Sequence, residues 1–361
     1  MRNKIVVVLL LLLWGGNSLA QIQTFEWQNT QRQYIVRIPA EYDETMPVMY
    51  FLHGLGDNIT RLDNEFQFQQ ISDRFGWMIV VPQAINQGYG TMWNAGLNSS
   101  TIDDSGFLMA LLDKLATEYP VNQDSIFFTG FSMGGFMSHR MGVEHGDRIN
   151  ACAPVSGLLS NYIASHTAVA PVRMMHVHGT NDPVVGYDGG SQYFGYQLGL
   201  SVENILNYWK NVNGCDGEPV IDTLPDTQAD GLLFIRYSYN CGTQLEHLKI
   251  IGGEHEFYHN ANLTDISLID EIHDFFVGKG GYDAVENMTT GSFELYPNPT
   301  SGKVKINVEY PTTMEVVNFE GQSVMREEMH AGENVIDFSN LPKGIYFVKD
   351  TKGTATKVVV K

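Results

Sequence analysis

The most constraining stretch of this chain is residues 125–135, which read S-I-F-F-T-G-F-S-M-G-G. The apolar run 126–128 predicts a short buried strand, and a tight turn and a helix are expected after it. The turn has the pattern G-x-S-x-G, the nucleophile elbow, which places a serine, here Ser132, on a sharp strand-to-helix turn. Flanking glycines let strand and helix approach, and the helix amino terminus directs free N–H groups beside the serine. Because chance yields about 0.2 such patterns in a chain this long, the motif needs support from the rest of the sequence.

Length, composition and charge narrow the class of protein. The chain has 361 residues, 43% of them hydrophobic and 17% charged, which is ordinary for a globular protein with one large domain or more than one. Its net charge of −19 disfavours binding to nucleic acid or to an anionic membrane, since both require a basic surface. We interpret the acidity as a contribution to solubility.

Residues 1–20 have the pattern of a signal peptide. Arg2 and Lys4 supply a positive start, residues 5–14 an apolar run, and Ser18-Leu19-Ala20 a cleavage site of small residues. The run is too short for a comfortable membrane span, and no later segment is apolar for long enough. We therefore expect cleavage after Ala20 and an exported mature chain without a membrane span.

Strand-like and helix-like segments alternate from Thr24 to Phe276, and we assign residues 21–280 to one domain. Predicted strands cover 34–38, 48–52, 77–81, the elbow strand, the apolar run around Cys152, 172–178 and 245–251. Predicted helices cover 105–119, the segment from the elbow through Met141, 201–211 and 265–276. Continuous apolar strands that alternate with helices predict an α/β fold whose mostly parallel sheet is covered on both faces.

The pattern changes after Gly278. Residues 281–294 have no convincing period and are predicted to be a linker. Residues 295–361 contain short strand-like segments separated by turns at Gly321, Gly332, Gly344 and Gly353, which predicts a small all-β sandwich domain. We find no group of catalytic residues in this second domain.

An elbow serine needs a base and an acid that orients the base, and in α/β folds of this type they follow in the order serine, acid, histidine. Asp182 is the one acid in this interval that comes within a few residues after a buried strand, and His255 follows the last strand. The carboxyl ends of parallel strands face the substrate side of such a sheet. We therefore predict that Ser132 is the nucleophile, His255 the base and Asp182 its orienting acid.

Two backbone amides are expected to stabilise the oxyanion that forms during acyl transfer. Met133 directly follows the nucleophile, and Leu55 lies in the turn His53-Gly54-Leu55-Gly56 after the strand 48–52. Aromatic residues between the motifs, Trp93, Tyr187, Tyr193 and Phe194, either line a substrate groove or pack in the core, and we assign Trp93 and Tyr187 to substrate binding.

Other interpretations compete at two places. His255 and His259 form the pattern H-E-x-x-H of zinc metalloproteases, which requires both histidines on one helix; the glycines before and the asparagines after this segment disfavour that helix. His176 and His178 share a strand face and could be metal ligands, although buried, hydrogen-bonded histidines are more common. Without catalysis, the chain would be a surface binding protein.

The chain has three cysteines, and an exported protein meets oxidising conditions. Cys215 and Cys241 flank a polar excursion, and we expect them to form a disulfide. Cys152 lies in an apolar run and is expected to be a buried free thiol.

Several further motifs accompany these residues. They are Leu52-His53-Gly54, Trp93-Asn94, residues 103–107, the elbow, residues 153–157, residues 178–182, Gly189-Gly190, Trp209, Asn213-Gly214-Cys215, Cys241 and residues 252–255. In these motifs the chain resembles, from about residue 34 to 276, the polyhydroxybutyrate depolymerase and feruloyl/acetylxylan esterase family of secreted α/β-hydrolases. The resemblance implies the same three catalytic residues, the Cys215–Cys241 bridge and serine esterase activity without a cofactor. The chain departs from the family at Phe257-Tyr258, where the family usually has tryptophan-proline.

The tail also resembles a known domain. Tyr296-Pro297-Asn298-Pro299, the segment 341–346 and the basic end 357–361 are similar to the type A carboxy-terminal sorting domain of the type IX (Por) secretion system. The resemblance implies a Gram-negative Bacteroidota source, a secretion machinery as partner, and an extracellular or cell-surface protein. A carbohydrate- or protein-binding sandwich is the alternative for this domain. Feruloyl or acetyl esters on plant xylan are the leading expected substrates, polyhydroxyalkanoate is the second, and small soluble esters are the third.

Overall fold

The structure, a computed structural model, describes residues 22–278 apart from 43, 89, 261 and 262, and residues 295–361 apart from 309–311, 319–322 and 350–354. The predicted signal peptide and the predicted linker lie outside the described residues. The chain divides into two compact units, the first ending at Val277 and the second starting at Gly278. Within the described part, no helix is long and apolar enough to cross a membrane.

The first unit contains a ten-stranded sheet and helices on both of its faces. Its strands are β1 (Gln23–Trp27), β2 (Thr30–Arg37), β3 (Met46–Leu52), β4 (Met78–Pro82), β5 (Val121–Phe131), β6 (Ala151–Val155), β7 (Arg173–Gly179), β8 (Cys215–Thr223), β9 (Leu233–Cys241) and β10 (Leu245–Ile251). Its helices are α1 (Ile59–Phe66), α2 (Phe68–Phe75), α3 (Asp104–Glu118), α4 (Met133–His145), α5 (Asn161–Ala164), α6 (Val202–Asn213) and α7 (Leu268–Phe276).

The strand order is β1-β2-β4-β3-β5-β6-β7-β10-β9-β8. The six central strands from β4 to β10 pair in parallel, whereas β1 and β2 at one edge and β9 and β8 at the other pair antiparallel. The prediction of an α/β fold with a mostly parallel sheet is confirmed. Such a sheet places the carboxyl ends of β5, β7 and β10 at one edge, where the predicted site residues follow.

Successive residues of the central strands point to opposite faces and fill two separate apolar cores. Tyr50 and Phe128 pack in the core beneath α3, α4 and α6, while their neighbours Met49 and Phe127 pack in the core beneath α1, α2 and α7. Burial on both faces explains why these strands read as continuous apolar runs. Cys152 on β6 is buried and free, as expected.

The long helix α3 illustrates how the sequence sets the limits of an element. Its N-cap Asp103 accepts a hydrogen bond from the Gly106 amide at 2.8 Å, and Pro120 follows its last turn. Helix α7 begins at Leu268, later than the predicted start at 265, because the Asp265 carboxylate accepts hydrogen bonds from the Thr227 and Gln228 amides outside the helix.

Several elements of the first unit were not predicted from the sequence, namely α1, α2, α5, β1 and the antiparallel pair β8–β9. The polar excursion between the two cysteines forms this pair at the sheet edge, with Cys215 opposite Cys241 in the register. The expected disulfide between them is present.

The second unit contains only strands among its described residues. They are β11 (Leu295–Tyr296), β12 (Lys303–Val308), β13 (Thr312–Asn318), β14 (Ser323–Met329), β15 (Gly332–Asp337), β16 (Gly344–Lys349) and β17 (Ala355–Val360). They form two antiparallel sheets, β11-β12-β15 and β14-β13-β16-β17, which share one apolar core that includes Ile306, Val316 and Val348. This arrangement agrees with the predicted small all-β sandwich.

Candidate active site

Ser132 lies on the turn between β5 and α4 with φ 55° and ψ −118°, a conformation that residues other than glycine rarely adopt. Its amide donates a hydrogen bond to the Val155 carbonyl at 2.9 Å, which ties the turn to β6. The glycines on either side permit very close packing. A Cβ atom on Gly130 would lie 2.6 Å from the Leu52 carbonyl oxygen, and one on Gly134 would lie 2.0 Å from it. The G-x-S-x-G pattern is thus explained by the contact of the elbow with β3.

The structure brings together Ser132, Asp182 and His255, which lie far apart in the chain. His255 follows β10, and its Nε2 lies 3.0 Å from Ser132 Oγ. Asp182 follows β7, and its Oδ2 lies 2.7 Å from His255 Nδ1. A carboxylate accepts only, so His255 donates its Nδ1 proton to Asp182 and leaves Nε2 free to accept a proton from the serine hydroxyl.

The carboxylate of Asp182 is fixed by hydrogen bonds at both oxygens. Its Oδ1 accepts from the amides of Val184 and Val185 at 2.9 and 2.8 Å, and its Oδ2 accepts from His255. The side chain is buried. Backbone amides and an imidazole together compensate for the loss of water around the carboxylate, and they leave it one orientation.

The segment after His255 holds the imidazole in place. Tyr258 Oη accepts a hydrogen bond from the Glu254 amide at 2.8 Å, and the Phe131 ring lies with its centroid 4.7 Å from that of His255. Phe257 is buried against Phe131 and Phe51. Phe257 and Tyr258, where the chain departs from the family pattern, therefore serve as packing and anchoring residues of the loop that carries His255.

The turn 53–56 lies against the elbow, because a Cβ atom on Gly54 would be 3.6 Å from Ser132 Cβ. His53 Nδ1 donates to the Gly54 carbonyl at 2.6 Å, and the Gly56 amide donates to the Thr91 carbonyl at 2.8 Å. Among the described residues, the amides of Leu55 and Met133 have no hydrogen-bond acceptor. An oxyanion hole requires N–H groups that are not used within the protein, so the assignment of these two amides stays a prediction.

Trp93 differs from its expected position in a substrate groove. Its side chain is 1% exposed, and its Nε1 donates to the His53 carbonyl at 3.0 Å. The ring packs against His53 beneath the turn 53–56. Trp93 therefore supports this turn from the core, because its buried indole offers no surface to a ligand.

Tyr187, the other residue assigned to substrate binding, is half-buried and borders a cleft of about 690 Å³ that Asp182 also lines. Its hydroxyl lies 2.6 Å from His247 Nε2. Tyr193 and Phe194 lie on the adjacent loop with exposed rings.

Four buried histidines, His139, His176, His178 and His247, lie together behind the site on α4, β7 and β10. His139 Nε2 lies 3.2 Å from His176 Nδ1, His247 Nδ1 donates to the His176 carbonyl at 2.8 Å, and the rings of His176 and His178 stack with centroids 5.4 Å apart. His178 Nε2 also donates to the Val185 carbonyl at 2.7 Å. Burial lowers the pKa of His139 and of His247 to about 3, and it lowers the pKa of His176 and His178 as well. We name these four residues the histidine cluster.

The histidine cluster was foreseen only in part. Its members on β7 share a face because they are two residues apart, which the sequence showed. His139 and His247 come from distant segments, and no local pattern links them to β7. In the part of the chain that the structure describes, no group of three or more ligating side chains has a geometry that could hold a metal ion.

The zinc pattern H-E-x-x-H does not form a helix, since the residues from Glu256 to Asn260 have extended or irregular backbone. The two histidines face different groups. His255 contacts Ser132, whereas the ring of His259 packs on Phe66 with a centroid distance of 4.9 Å. A metalloprotease requires both rings on one helical face, so this geometry contradicts the zinc interpretation.

Known families match both units. Residues 34–198 match the family model described as phospholipase/carboxylesterase, and residues 294–361 match that of the secretion system C-terminal sorting domain. The chain is an α/β-hydrolase with a C-terminal sorting domain. The sorting domain directs the hydrolase to the cell surface or the extracellular space, as predicted.

Curated relatives of the hydrolase are carboxylic ester hydrolases. They include a bifunctional acetylxylan esterase/xylanase of Neocallimastix patriciarum, 25% identical over 66% of this chain and 33% of the relative, and feruloyl esterase B of Piromyces equi, 28% identical over 53% and 37%. A probable feruloyl esterase C of Aspergillus niger is 29% identical over 62% of this chain and 76% of the relative. The chain thus spans about a third of the length of the first two relatives.

Among solved structures, an acetyl xylan esterase from Aspergillus awamori is similar to the hydrolase with a TM-score of 0.53 and 14% identity. The similarity covers 72% of this chain and 100% of that chain. At this identity the similarity concerns the fold, and it agrees with the parallel sheet described above.

Proposed function

We propose that this hydrolase is a secreted serine carboxylesterase in which Ser132, His255 and Asp182 form the catalytic triad. The observation that carries the proposal is the hydrogen-bonded series from Ser132 Oγ to His255 Nε2 at 3.0 Å and from His255 Nδ1 to Asp182 Oδ2 at 2.7 Å. This order of groups lets an imidazole remove the hydroxyl proton while a carboxylate stabilises the charge that the ring acquires.

In the acylation step, Ser132 Oγ attacks the ester carbonyl carbon, and its proton passes to His255 Nε2. The carbonyl oxygen becomes an oxyanion that accepts hydrogen bonds from the Met133 and Leu55 amides. The carbon–oxygen bond to the alcohol then breaks, and His255 gives its proton to the leaving alkoxide. The products are a free alcohol and an acyl ester on Ser132.

In the deacylation step, a water molecule replaces the alcohol. His255 takes a proton from the water as its oxygen attacks the acyl carbon, and the same two amides stabilise the second oxyanion. The bond to Ser132 Oγ breaks, the proton returns from His255 to the serine, and a carboxylic acid leaves. Asp182 keeps its charge throughout and holds the imidazole in the orientation that both steps require.

We propose feruloyl or acetyl groups on plant polysaccharide as the substrate. The support is that the curated relatives carry the names acetylxylan esterase and feruloyl esterase. A polyhydroxyalkanoate depolymerase has the same bond chemistry and is the competing assignment. A hydrolysis panel with methyl ferulate, acetylated xylan and polyhydroxybutyrate film separates them: turnover of the film without turnover of the plant esters would overturn the proposed substrate.

We also propose that residues 295–361 are the part of the chain recognised by the type IX secretion machinery. The support is the match of residues 294–361 to the sorting-domain family.

The catalytic proposal is tested by Ser132→Ala. We expect Ser132→Ala to lower kcat about a millionfold, because the nucleophile is indispensable. Asp182→Ala should lower kcat about ten-thousandfold, because the acid only orients the base. A fluorophosphonate should label the native protein and leave Ser132→Ala unlabelled. Ser99→Ala, at an exposed serine of the same unit, is the matched control and should keep full activity. Normal turnover by Ser132→Ala with an unchanged melting temperature would exclude the serine mechanism.

A further inference from the structure

An exposed aromatic loop borders the cleft beside the proposed triad. We define it as residues 189–198, whose ends meet where the Leu198 amide donates to the Gly189 carbonyl at 2.8 Å. Three of its rings project into solvent: Tyr193 is 72% exposed, Phe194 47% and Tyr196 61%. Three such rings within four residues form a concentrated apolar surface, and a surface of this kind on an exported protein indicates a binding site.

Hydrogen bonds fix the aromatic loop against the site. The Gln192 amide donates to the Pro183 carbonyl at 3.2 Å, directly next to Asp182. Ser191 accepts from the Phe194 amide through Oγ at 3.2 Å and from the Gly195 amide through its carbonyl at 3.0 Å. Because these bonds tie the loop to the segment that follows Asp182, its backbone is ordered before a ligand binds, which lowers the entropic cost of binding there.

The cleft that Asp182 borders is lined by hydrogen-bonding groups, and the first residues of the aromatic loop belong to this lining. Its lining residues are Thr180, Asn181, Asp182, Gly186, Tyr187, Asp188, Gly190, Ser191 and Gln192, and none of them is basic. Asn181, Asp188 and Gln192 are exposed and able to contact a ligand. The Asp188 carboxylate accepts a hydrogen bond from the Gly190 amide at 3.3 Å, and a carboxylate has acceptor capacity beyond one such bond.

We propose that the aromatic loop and this cleft bind the neutral polysaccharide chain that carries the ester. This inference rests on the proposed function and extends it to the polymer. Sugar rings present apolar C–H faces that stack on Tyr193, Phe194 and Tyr196, while their hydroxyl groups donate to Asp188 and exchange hydrogen bonds with Asn181 and Gln192. Aromatic rings for the faces and polar groups for the edges are together what a carbohydrate requires.

The chemistry of the cleft favours this occupant over two others. A polyester offers ester oxygens, which only accept, and would supply no donor to the remaining acceptor sites of the Asp188 carboxylate. An acidic polysaccharide would be repelled by the same carboxylate and would meet no basic residue in the lining. A neutral polymer rich in hydroxyl groups supplies donors to the Asp188 carboxylate and carries no charge that this carboxylate would repel.

The experiment compares Tyr193→Ala/Tyr196→Ala with a matched control, Tyr42→Ala/Tyr162→Ala, which removes tyrosines that are 47% and 62% exposed elsewhere in the same unit. Binding to insoluble xylan is measured by depletion from solution, with every protein in a Ser132→Ala background so that no substrate is consumed. We expect the Kd of the test variant to rise about tenfold and that of the control to stay unchanged. Tyr193→Phe/Tyr196→Phe, which keeps the rings, should bind like the parent.

A second measurement uses active enzyme and the ratio of kcat/KM for acetylated xylan to kcat/KM for p-nitrophenyl acetate. This ratio should fall about tenfold in the test variant. Unchanged xylan binding, an equal loss in the control, or a loss on polyhydroxybutyrate film without a loss on xylan would overturn the proposal. Failure of the parent to hydrolyse any ester would refute the proposed function instead, while the binding measurement would still decide the role of the loop.

Discussion

At the scale of single residues, the candidate site depends on a close contact between two backbones. The elbow approaches β3 so tightly that Gly134 has no room for a side chain, since its Cβ would lie 2.0 Å from the Leu52 carbonyl oxygen. The same carbonyl lies one residue before the turn that carries the Leu55 amide. A displacement of the elbow would therefore move the nucleophile and the oxyanion site relative to each other, and sub-ångström errors of this kind impair catalysis.

Gly134→Ala tests this contact. We expect it to destabilise the protein by about 2 kcal/mol or more and to lower kcat about a hundredfold in whatever folds, because β3 and α4 must separate. The control is Gly142→Ala on the same helix, where the nearest atoms to the added Cβ would be side-chain atoms, those of Met174 and Trp209 at 3.2 Å and of Cys152 at 3.4 Å, rather than backbone. Urea unfolding and ester hydrolysis measure both variants, and equal behaviour of the two would contradict the explanation.

The three proposed catalytic residues could be predicted from the sequence because each follows a recognisable strand and the strands are parallel. Trp93 could not be placed in the same way. Its motif lies between two predicted elements, and whether the ring faces a ligand or the core depends on the path of the segment 93–104. The buried Asp104 sets that path by accepting hydrogen bonds from the Asn94 amide and from Arg32, at 2.7 Å each. Such a long-range pair leaves no local pattern.

At the scale of elements, the histidine cluster joins α4, β7 and β10 through uncharged imidazoles. Burial lowers the pKa of His139 and His247 to about 3, whereas the pKa of a histidine in the unfolded chain is about 6.5. Below that pH the unfolded chain therefore binds protons that the folded chain does not bind. The stability that these residues contribute is fully present above about pH 6.5 and is lost as the pH falls towards 3.

His139→Gln should make stability less sensitive to acid. Between pH 6 and pH 4 each neutral buried histidine adds about 1.4 kcal/mol per pH unit to the slope of the free energy of unfolding against pH. This slope should therefore be smaller by that amount in the variant. His166→Gln, which replaces a solvent-exposed histidine of the same unit, is the matched control. Urea titrations at several pH values provide the slopes. A parent protein whose stability is constant from pH 6 to pH 4 would refute this account.

The elements that escaped prediction are those whose stability comes from partners elsewhere in the chain. Strand β8 is mostly exposed and has no apolar alternation, so its pairing with β9 and the Cys215–Cys241 bridge determine its conformation. Helices α1 and α2 have eight residues each, too few to be stable without tertiary packing, and a left-handed residue, Gln67, separates them. Long helices and buried central strands were predicted because the spacing of apolar residues within each segment is enough to identify it.

At the scale of the whole molecule, the two units have separate cores and separate tasks. All proposed catalytic residues lie in the first unit, and the apolar core described for the second unit consists of residues between 295 and 361. Each unit should therefore fold without the other.

Deletion of residues 279–361 tests this independence. We expect the shortened protein to keep the kcat of the full chain on methyl ferulate and the same urea midpoint for the hydrolase unfolding transition. In a host with a type IX apparatus it should remain inside the cell, whereas full-length Ser132→Ala should be exported although inactive. Loss of activity or solubility on deletion would show that the units depend on each other.

The burial of Cys152 affects how this exported protein is inactivated irreversibly. Thiol–disulfide exchange starts from a thiolate, and burial raises the pKa of the Cys152 thiol, so the native protein holds no internal nucleophile against its own bridge. Bridge shuffling and covalent dimers can therefore begin only once β6 leaves the sheet. Irreversible loss of native protein on heating should follow the exposure of this sulfur, and mildly alkaline storage below the unfolding temperature should not start bridge shuffling.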